Sequence, residues 1–313
     1  MPSEDPILKI EHLAKHFTSG RGRNQLTVKA VDDVSFSVNR AETFGLVGES
    51  GCGKTTTGRT IIRLYDPTGG GVNYNGREIS GKMTNALRNY LTENIAMVFQ
   101  DPVESLNPRM TVEEIIGEGL RVRGVKDRHE LRSRVYAMLD MVGLTEEHAT
   151  RYPHEFSGGQ RQRIGIARAI ITKPTTLITD EPVSALDVSI RSQIINLLND
   201  LKQELRLTIL FIAHDLSIVK YFSDKIGVMY NGKLVELGRS DNIYQNPVHP
   251  YTKSLLSAIP HPNPRLERKR KRLTYEPPPK GRYGDEVPQM RLAEPEHYVY
   301  ACPSELNEYM QRG

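Results

Sequence analysis

Alternating apolar and polar positions over residues 28–38 (VKAVDDVSFSV) predict a half-buried strand. Upstream, Ile7, Leu8 and Ile10 read as strand, followed by a polar insert at 18–25 whose SGRGR is expected to form a loop tip. The uninterrupted apolar run 43–47 (TFGLV) fits a short strand, and a glycine-rich turn follows it. Residues 54–65 (KTTTGRTIIRLY) then fit a helix stopped by Pro67. Glycines at 69–71 and the Asn75-Gly76 pair mark turns around another short strand.

From about 101 to 152 the texture changes. Segments 111–122 and 129–141 carry apolar residues at helical spacing with many charges between them, as surface helices do. After Pro153 the alternation of strand and helix returns. Residues 176–179 and 208–213 read as buried strands, and 188–205 as the helix joining them. Such alternation argues for a mainly parallel sheet with helices packed on it, and the charged helical block reads as an insertion. More than half of the 19 prolines fall after residue 245, so the last part of the chain is expected to be less compact.

Composition narrows the class. With 38% hydrophobic and 26% charged residues over 313 positions, the chain can bury a sizeable core. Two cysteines, Cys52 and Cys302, cannot build a disulfide framework, which favours a reducing compartment. No apolar run approaches the ~20 residues of a membrane helix. The opening MPSEDPILKIEHLAKHF has acids where a signal peptide has bases, so a cytosolic chain is expected. The net charge of +4 is concentrated in RLERKRKR at 265–272, which reads as a solvated linker, with anionic lipid headgroups as the alternative contact. Only isolated aromatics such as Tyr275 flank that run, so no nucleic-acid partner is expected.

The chemistry begins at Gly48-Glu49-Ser50-Gly51-Cys52-Gly53-Lys54-Thr55, which matches G-x-x-x-x-G-K-[ST] between a strand and a helix. Gly48, Gly51 and Gly53 let backbone N–H groups turn inward onto phosphate oxygens, and the helix N-terminus adds partial positive charge. Lys54 is placed to reach the β- and γ-phosphates, with Ser50 and Thr56 in the same cradle, and the Thr55 hydroxyl to ligate Mg²⁺. Cys52 lies beside Lys54 at a helix start, a position that can lower a thiol pKa, but any small residue could fill that slot and no redox role is expected. The segment 176–181 (TLITDE) is a short strand ending in two acids. Asp180 is expected to hold Mg²⁺ and Glu181 to polarise the attacking water. Ser157-Gly158-Gly159-Gln160 opens a second helix and forms a second anion-binding nest. Two phosphate nests in one chain point to one site made by two chains.

Together these segments resemble the ATPase subunits of ABC transporters. GESGCGKT matches the Walker A motif, ITDE at 178–181 Walker B, and FSGGQ at 156–160 the signature motif, with Phe156 where leucine is commonest. SALD at 184–187 resembles the D-loop and ends on Asp187. His214 stands where the family has its switch histidine, Gln100 at the Q-loop, and Phe17 where an aromatic stacks on adenine. The resemblance implies an α/β fold: a P-loop NTPase (RecA-like) core with an N-terminal antiparallel β subdomain and an inserted α-helical subdomain. Residues 1–260 would form the nucleotide-binding domain, with the helical subdomain at about 101–156. Residues 261–313 would be a proline-rich basic extension; no phosphate-binding motif lies after Pro264, so removing the chain beyond it is expected to leave nucleotide binding intact. By the same resemblance His214 contacts the γ-phosphate and Gln100 touches Mg²⁺ and water. Ser157, Gly159, Gln160 and Asp187 serve the nucleotide held by a second ATPase subunit.

QDPVESLNPRMTV at 100–112, HEFSGGQRQRIGIARAI at 154–170 and NPVHPYTKSLLSAIP at 246–260 narrow the resemblance to the oligopeptide/dipeptide importer branch. This implies an ATPase that powers peptide uptake, with ATP and Mg²⁺ as ligands. Its partners would be a similar ATPase subunit, two membrane permease subunits and, indirectly, an extracytoplasmic solute-binding protein. The place implied is peripheral, on the cytoplasmic face of the cell membrane. With only Cys302 in the tail, no iron–sulfur cluster is expected. The alternatives are the same ATPase role for a sugar or nickel, a soluble ABC ATPase, and a regulatory cassette without turnover.

Overall fold

The backbone of β1 (Leu8–Ser19) explains much of the amino-terminal half. Its buried Leu8, Ile10 and Leu13 face one side, and it pairs antiparallel with β2 (Leu26–Val38) and with β4 (Gly69–Tyr74). The register slips after Ile10, where His12 takes a positive φ of 52°. β1 is therefore longer than the apolar triplet at its start implies. With β5 (Arg77–Glu78) these strands form a four-stranded sheet in the order β2-β1-β4-β5. In this computed structural model the described residues are 6–20, 26–184, 186–260, 271–279 and 282–311. The tip of the polar insert and most of the basic run at 265–272 lie outside them.

The chain divides into two compact units, Met1–Gly81 with Ala213–Gly313, and Lys82–Ile212. In the first, β3 (Thr43–Val47) is buried along its whole length and pairs parallel with β9 (Lys225–Tyr230). Phe36 of β2 stacks on Phe44 of β3 at 4.5 Å and so ties the antiparallel sheet to this core. Between β3 and β4 runs α1 (Lys54–Ile61). It ends earlier than Pro67 requires, because Arg63 adopts a φ of +62° and the chain curls back onto the Arg59 carbonyl. Asn231 and Gly232, both at positive φ, turn β9 into β10 (Lys233–Arg239), as a tight hairpin demands.

The second unit carries β6 (Ile95–Val98), β7 (Thr176–Asp180) and β8 (Thr208–Ala213), paired parallel in that order, with β8 ending one residue past the unit's bound. Its helices are α2 (Asn85–Asn94), α3 (Pro102–Ser105), α4 (Val112–Val122), α5 (Arg128–Met141), α6 (Gly158–Ile170) and α7 (Val188–Leu205). Thr111 and Glu114 form a reciprocal capping box on α4, and Asp127 caps α5. α4 and α5 correspond to the charged segments 111–122 and 129–141.

The end of the chain is more ordered than its prolines imply. After α8 (Leu216–Phe222), α9 (Ser240–Gln245) and α10 (Pro250–Ala258), residues 289–301 form a hairpin of β11 (Gln289–Glu294) and β12 (His297–Ala301). β12 pairs antiparallel with β10, and a last helix, Pro303–Gln311, follows. Val299, Ala301 and Tyr309 join Val248 in a small core. Alternation within HYVYA carries this strand, since His297, Val299 and Ala301 point inward; the surrounding prolines hide it in composition.

Burial pushes the His249 imidazole down to about 3. The neutral ring caps α10, its Nδ1 accepting the Tyr251 N–H at 3.1 Å. Unfolded, the same imidazole has a pKa near ~6.5 and binds the proton first. The contribution is therefore complete above about pH 6.5 and is lost as the pH falls toward 3. By pH 5 the expected loss is about 2 kcal/mol. Thermal unfolding at pH 7 and pH 5 checks this: His249→Asn, which keeps a cap, should lose less stability over that interval than the native chain.

Candidate functional site

The residues singled out in the sequence fall into two sets, one in each unit. In the first, β3 ends at Val47 and the chain enters the loop 48–53 before α1. Gly53 has a φ of +112°, and a Cβ there would lie 2.1 Å from the Ala30 carbonyl oxygen, so only glycine fits. Gly51, at φ +81°, faces open space. No side chain caps α1, whose start is the kind of backbone that binds an anion. Lys54 is 3% exposed, and its ammonium donates to the carbonyls of Gly48 (2.8 Å) and Glu49 (2.9 Å). Thr55 and Thr56 are half-buried beside it, while Glu49 and Ser50 are exposed on the loop. The cradle and its cation suit a polyphosphate.

Cys52 has no reactive thiol. It is buried, and that burial pushes its thiol above the ordinary value, outweighing the lowering by Lys54. Desolvation of the thiolate exceeds the attraction of one ammonium, so position at a helix start does not make this cysteine reactive.

Phe17 lies near the end of β1 and is 39% exposed. Its ring meets Tyr65 edge-on at 5.4 Å, with the Lys15 ammonium 5.0 Å from its centroid. It is a surface aromatic and not part of the core. His214 is exposed just after β8, and Asp215 behind it caps α8 by accepting the Ser217 N–H at 2.8 Å.

In the second unit, Asp180 is fully buried at the end of β7 and Glu181 follows at a φ of +46°. The Glu181 N–H donates to the Ile212 carbonyl at 2.9 Å, and the Ser184 hydroxyl donates to the Glu181 carbonyl at 3.1 Å. Gln100, two residues beyond β6, donates its amide to Glu181 Oε2 at 3.4 Å. β6 and β7 are paired neighbours, so residues 81 positions apart in sequence meet at their common end. Asp180 and Gln100 in this unit carry oxygen atoms of the hard kind that Mg²⁺ takes, and so does the Thr55 hydroxyl in the first unit. Among the described residues, no group of three or more His, Cys, Asp or Glu is arranged to hold a metal by itself.

Ser157 caps α6: its hydroxyl accepts the Gln160 N–H at 3.3 Å, and Gln160 Oε1 accepts the Ser157 N–H at 3.0 Å. A Cβ on Gly159 would fall 2.6 Å from Ile190 of α7, so the glycine lets the two helices close up. Phe156 is buried against the His148 ring and anchors the turn from below. Asp187 is exposed at the start of α7 and makes no side-chain cap bond there.

One contact had no counterpart in the motif reading. The Glu49 N–H donates to the hydroxyl of Tyr251, in α10, at 3.0 Å. The stretch 246–260 is conspicuous in sequence, but nothing local in it says that its tyrosine reaches a loop 202 positions away.

Residues 31–184 match the ABC transporter family, and residues 235–284 match the oligopeptide/dipeptide transporter C-terminal region. The chain is 54% identical to the oligopeptide transport ATP-binding protein OppF of Bacillus subtilis, over 97% of this chain and 99% of that one. It is 49% identical to the dipeptide transport ATP-binding protein DppF of Lactococcus lactis, over 99% and 98% of the two chains. Among solved structures it resembles cbiO1 of Clostridium perfringens, part of the ABC transporter complex cbiONQ, with a TM-score of 0.68 and 29% identity over 78% of this chain and 92% of that one. It also resembles the ATP-binding cassette MJ0796, solved as a dimer in a post-hydrolysis state bound to ADP and Pi, with a TM-score of 0.67 and 28% identity over 74% and 98%.

Proposed function

The chain belongs to the ATP-binding subunits of ABC transporters, in the oligopeptide/dipeptide branch, and from that membership we propose how its residues work. It has the α/β fold of the P-loop NTPases and is an ATPase that energises uptake of oligopeptides or dipeptides. The observation that carries the site assignment is the meeting of Gln100 with Glu181 at the ends of β6 and β7.

Lys54 and the amides of the 48–56 loop hold the β- and γ-phosphates, and Phe17 stacks on the adenine, for which its exposed ring is suited. Glu181 orients the water that attacks the γ-phosphorus and takes up its proton, and Gln100 holds the carboxylate and the water in register. His214 contacts the γ-phosphate. Thr55, Asp180 and Gln100 would hold Mg²⁺, which supplies positive charge to the β- and γ-oxygens. Most of the acceleration comes from positioning and fixed charge, as expected for a loose phosphoryl transition state.

Ser157, Gly159, Gln160 and Asp187 serve the nucleotide bound by a second, similar ATPase subunit. The dimeric cassettes that this fold resembles support that reading. Two permease subunits dock the pair on the cytoplasmic face of the membrane, and a solute-binding protein delivers the peptide from outside. Among the described residues no helix is long and apolar enough to cross a membrane.

Ser157→Arg tests this arrangement. It puts bulk and charge on the nest and leaves the 48–56 loop untouched. Mixed with a native partner in the reconstituted transporter, the variant should bind ATP at its own loop normally and lose at least about tenfold in turnover. Loss of binding at its own loop, with turnover at the partner's site retained, would show that the nest acts within its own chain.

A further inference from the structure

The carboxyl-terminal extension reaches the phosphate loop through buried groups of the first unit. Glu236 of β10 and His297 of β12 are both fully buried, with the His297 Nε2 2.7 Å from Glu236 Oε1. The same carboxylate accepts the N–H groups of Val248 (2.7 Å) and His249 (3.0 Å), the two residues that lead into α10. Two residues further, Tyr251 is 2% exposed and accepts the Glu49 N–H.

That bond acts on a particular peptide unit. The N–H of the Gly48–Glu49 peptide meets the Tyr251 hydroxyl, and its carbonyl, on Gly48, accepts the Lys54 ammonium at 2.8 Å. The plane of this peptide is pinned on both sides, so the hydroxyl helps to set where the Lys54 ammonium rests. The Tyr251 ring is itself held. It packs on Tyr230 at 4.5 Å, and Tyr275, from the extension, lies 5.2 Å from Tyr230, 5.7 Å from Tyr251 and 5.4 Å from His249. Tyr309, from the last helix, closes on His249 at 5.5 Å. Aromatic rings packed this closely leave little room for independent movement.

We propose that Tyr251 is a positioning residue for the phosphate loop and that the extension, through Tyr275, holds it in place and so sets the affinity for nucleotide. The inference rests on the ATPase reading above, and it opposes the expectation that the extension can be removed without effect on binding.

The test titrates the full-length chain with ATP and with ADP, as the native protein, Tyr251→Phe, Tyr275→Leu, Tyr275→Phe and the Tyr251→Phe/Tyr275→Leu pair. Tyr251→Phe keeps the ring and loses one hydroxyl. It should raise Kd for both nucleotides by the same factor, about two- to tenfold, the net worth of a neutral hydrogen bond. The number of sites should stay unchanged, whereas a folding defect would lower that number and leave Kd alone. Tyr275→Leu should shift Kd in the same direction and Tyr275→Phe should restore it. The pair should be no weaker than Tyr251→Phe alone, because both changes act through one bond. An unaltered Kd in Tyr251→Phe overturns the proposal. A shift in Tyr251→Phe that Tyr275→Leu does not share overturns the part given to the extension. A native chain that binds neither nucleotide counts instead against the ATPase reading.

Discussion

Glu181→Gln is expected to bind ATP with near-native affinity and to lose ~10²–10⁴ of its turnover, the usual worth of a positioned general base. The local fold gives the substitution little to disturb. Glu181 is held through its backbone, by its N–H to Ile212 and by its carbonyl from Ser184, and both bonds survive the change. A glutamine oxygen can still accept the Gln100 amide that now donates to Glu181 Oε2. What disappears is the negative charge, and with it the capacity to take a proton from water. Lys54 and the rest of the phosphate loop are covalently unchanged, so binding is retained. The measurement is ATP turnover in the reconstituted transporter beside nucleotide titration of the same preparation. Turnover within a few-fold of native would remove Glu181 from the catalytic role.

Lys54→Ala should fail at the earlier step, with ATP affinity down on the order of ten- to a hundredfold, as for a lost charge-assisted hydrogen bond. Lys54 is buried, and its ammonium also braces the loop by donating to Gly48 and Glu49. The alanine therefore removes a phosphate ligand and loosens the peptide that Tyr251 holds from the other side. Nucleotide titration distinguishes the two substitutions, since Glu181→Gln should saturate where Lys54→Ala does not. An unchanged Kd in Lys54→Ala would remove the lysine from the phosphate site.

The elements that were legible in the sequence are those whose causes are local. Residues 43–47, 188–205 and 208–213 match β3, α7 and β8 because an unbroken apolar run or a helical period is written within a few residues. α1 was read too long, since the left-handed turn at Arg63 has no proline or glycine to announce it. The hairpin of β11 and β12 is hidden in composition by the prolines around it, although HYVYA alternates and its strand pairs with the edge of β10.

The candidate chemistry divides in the same way. The phosphate loop and the Ser157 nest could be read directly, because a glycine at positive φ or a capping serine acts on atoms within a turn of itself. The neighbour of a side chain across the fold has no such signature. Gln100 reaches Glu181 only because β6 pairs with β7; Tyr251 reaches Glu49 only because Glu236 and the extension seat α10. At Cys52 the helix start and tertiary burial pull the thiol in opposite directions, and burial wins, since desolvating a thiolate costs more than one nearby lysine returns. Short-range backbone geometry was thus determined by the sequence itself, while long-range pairing and burial, which depend on how distant segments exclude water together, were decided by the tertiary structure.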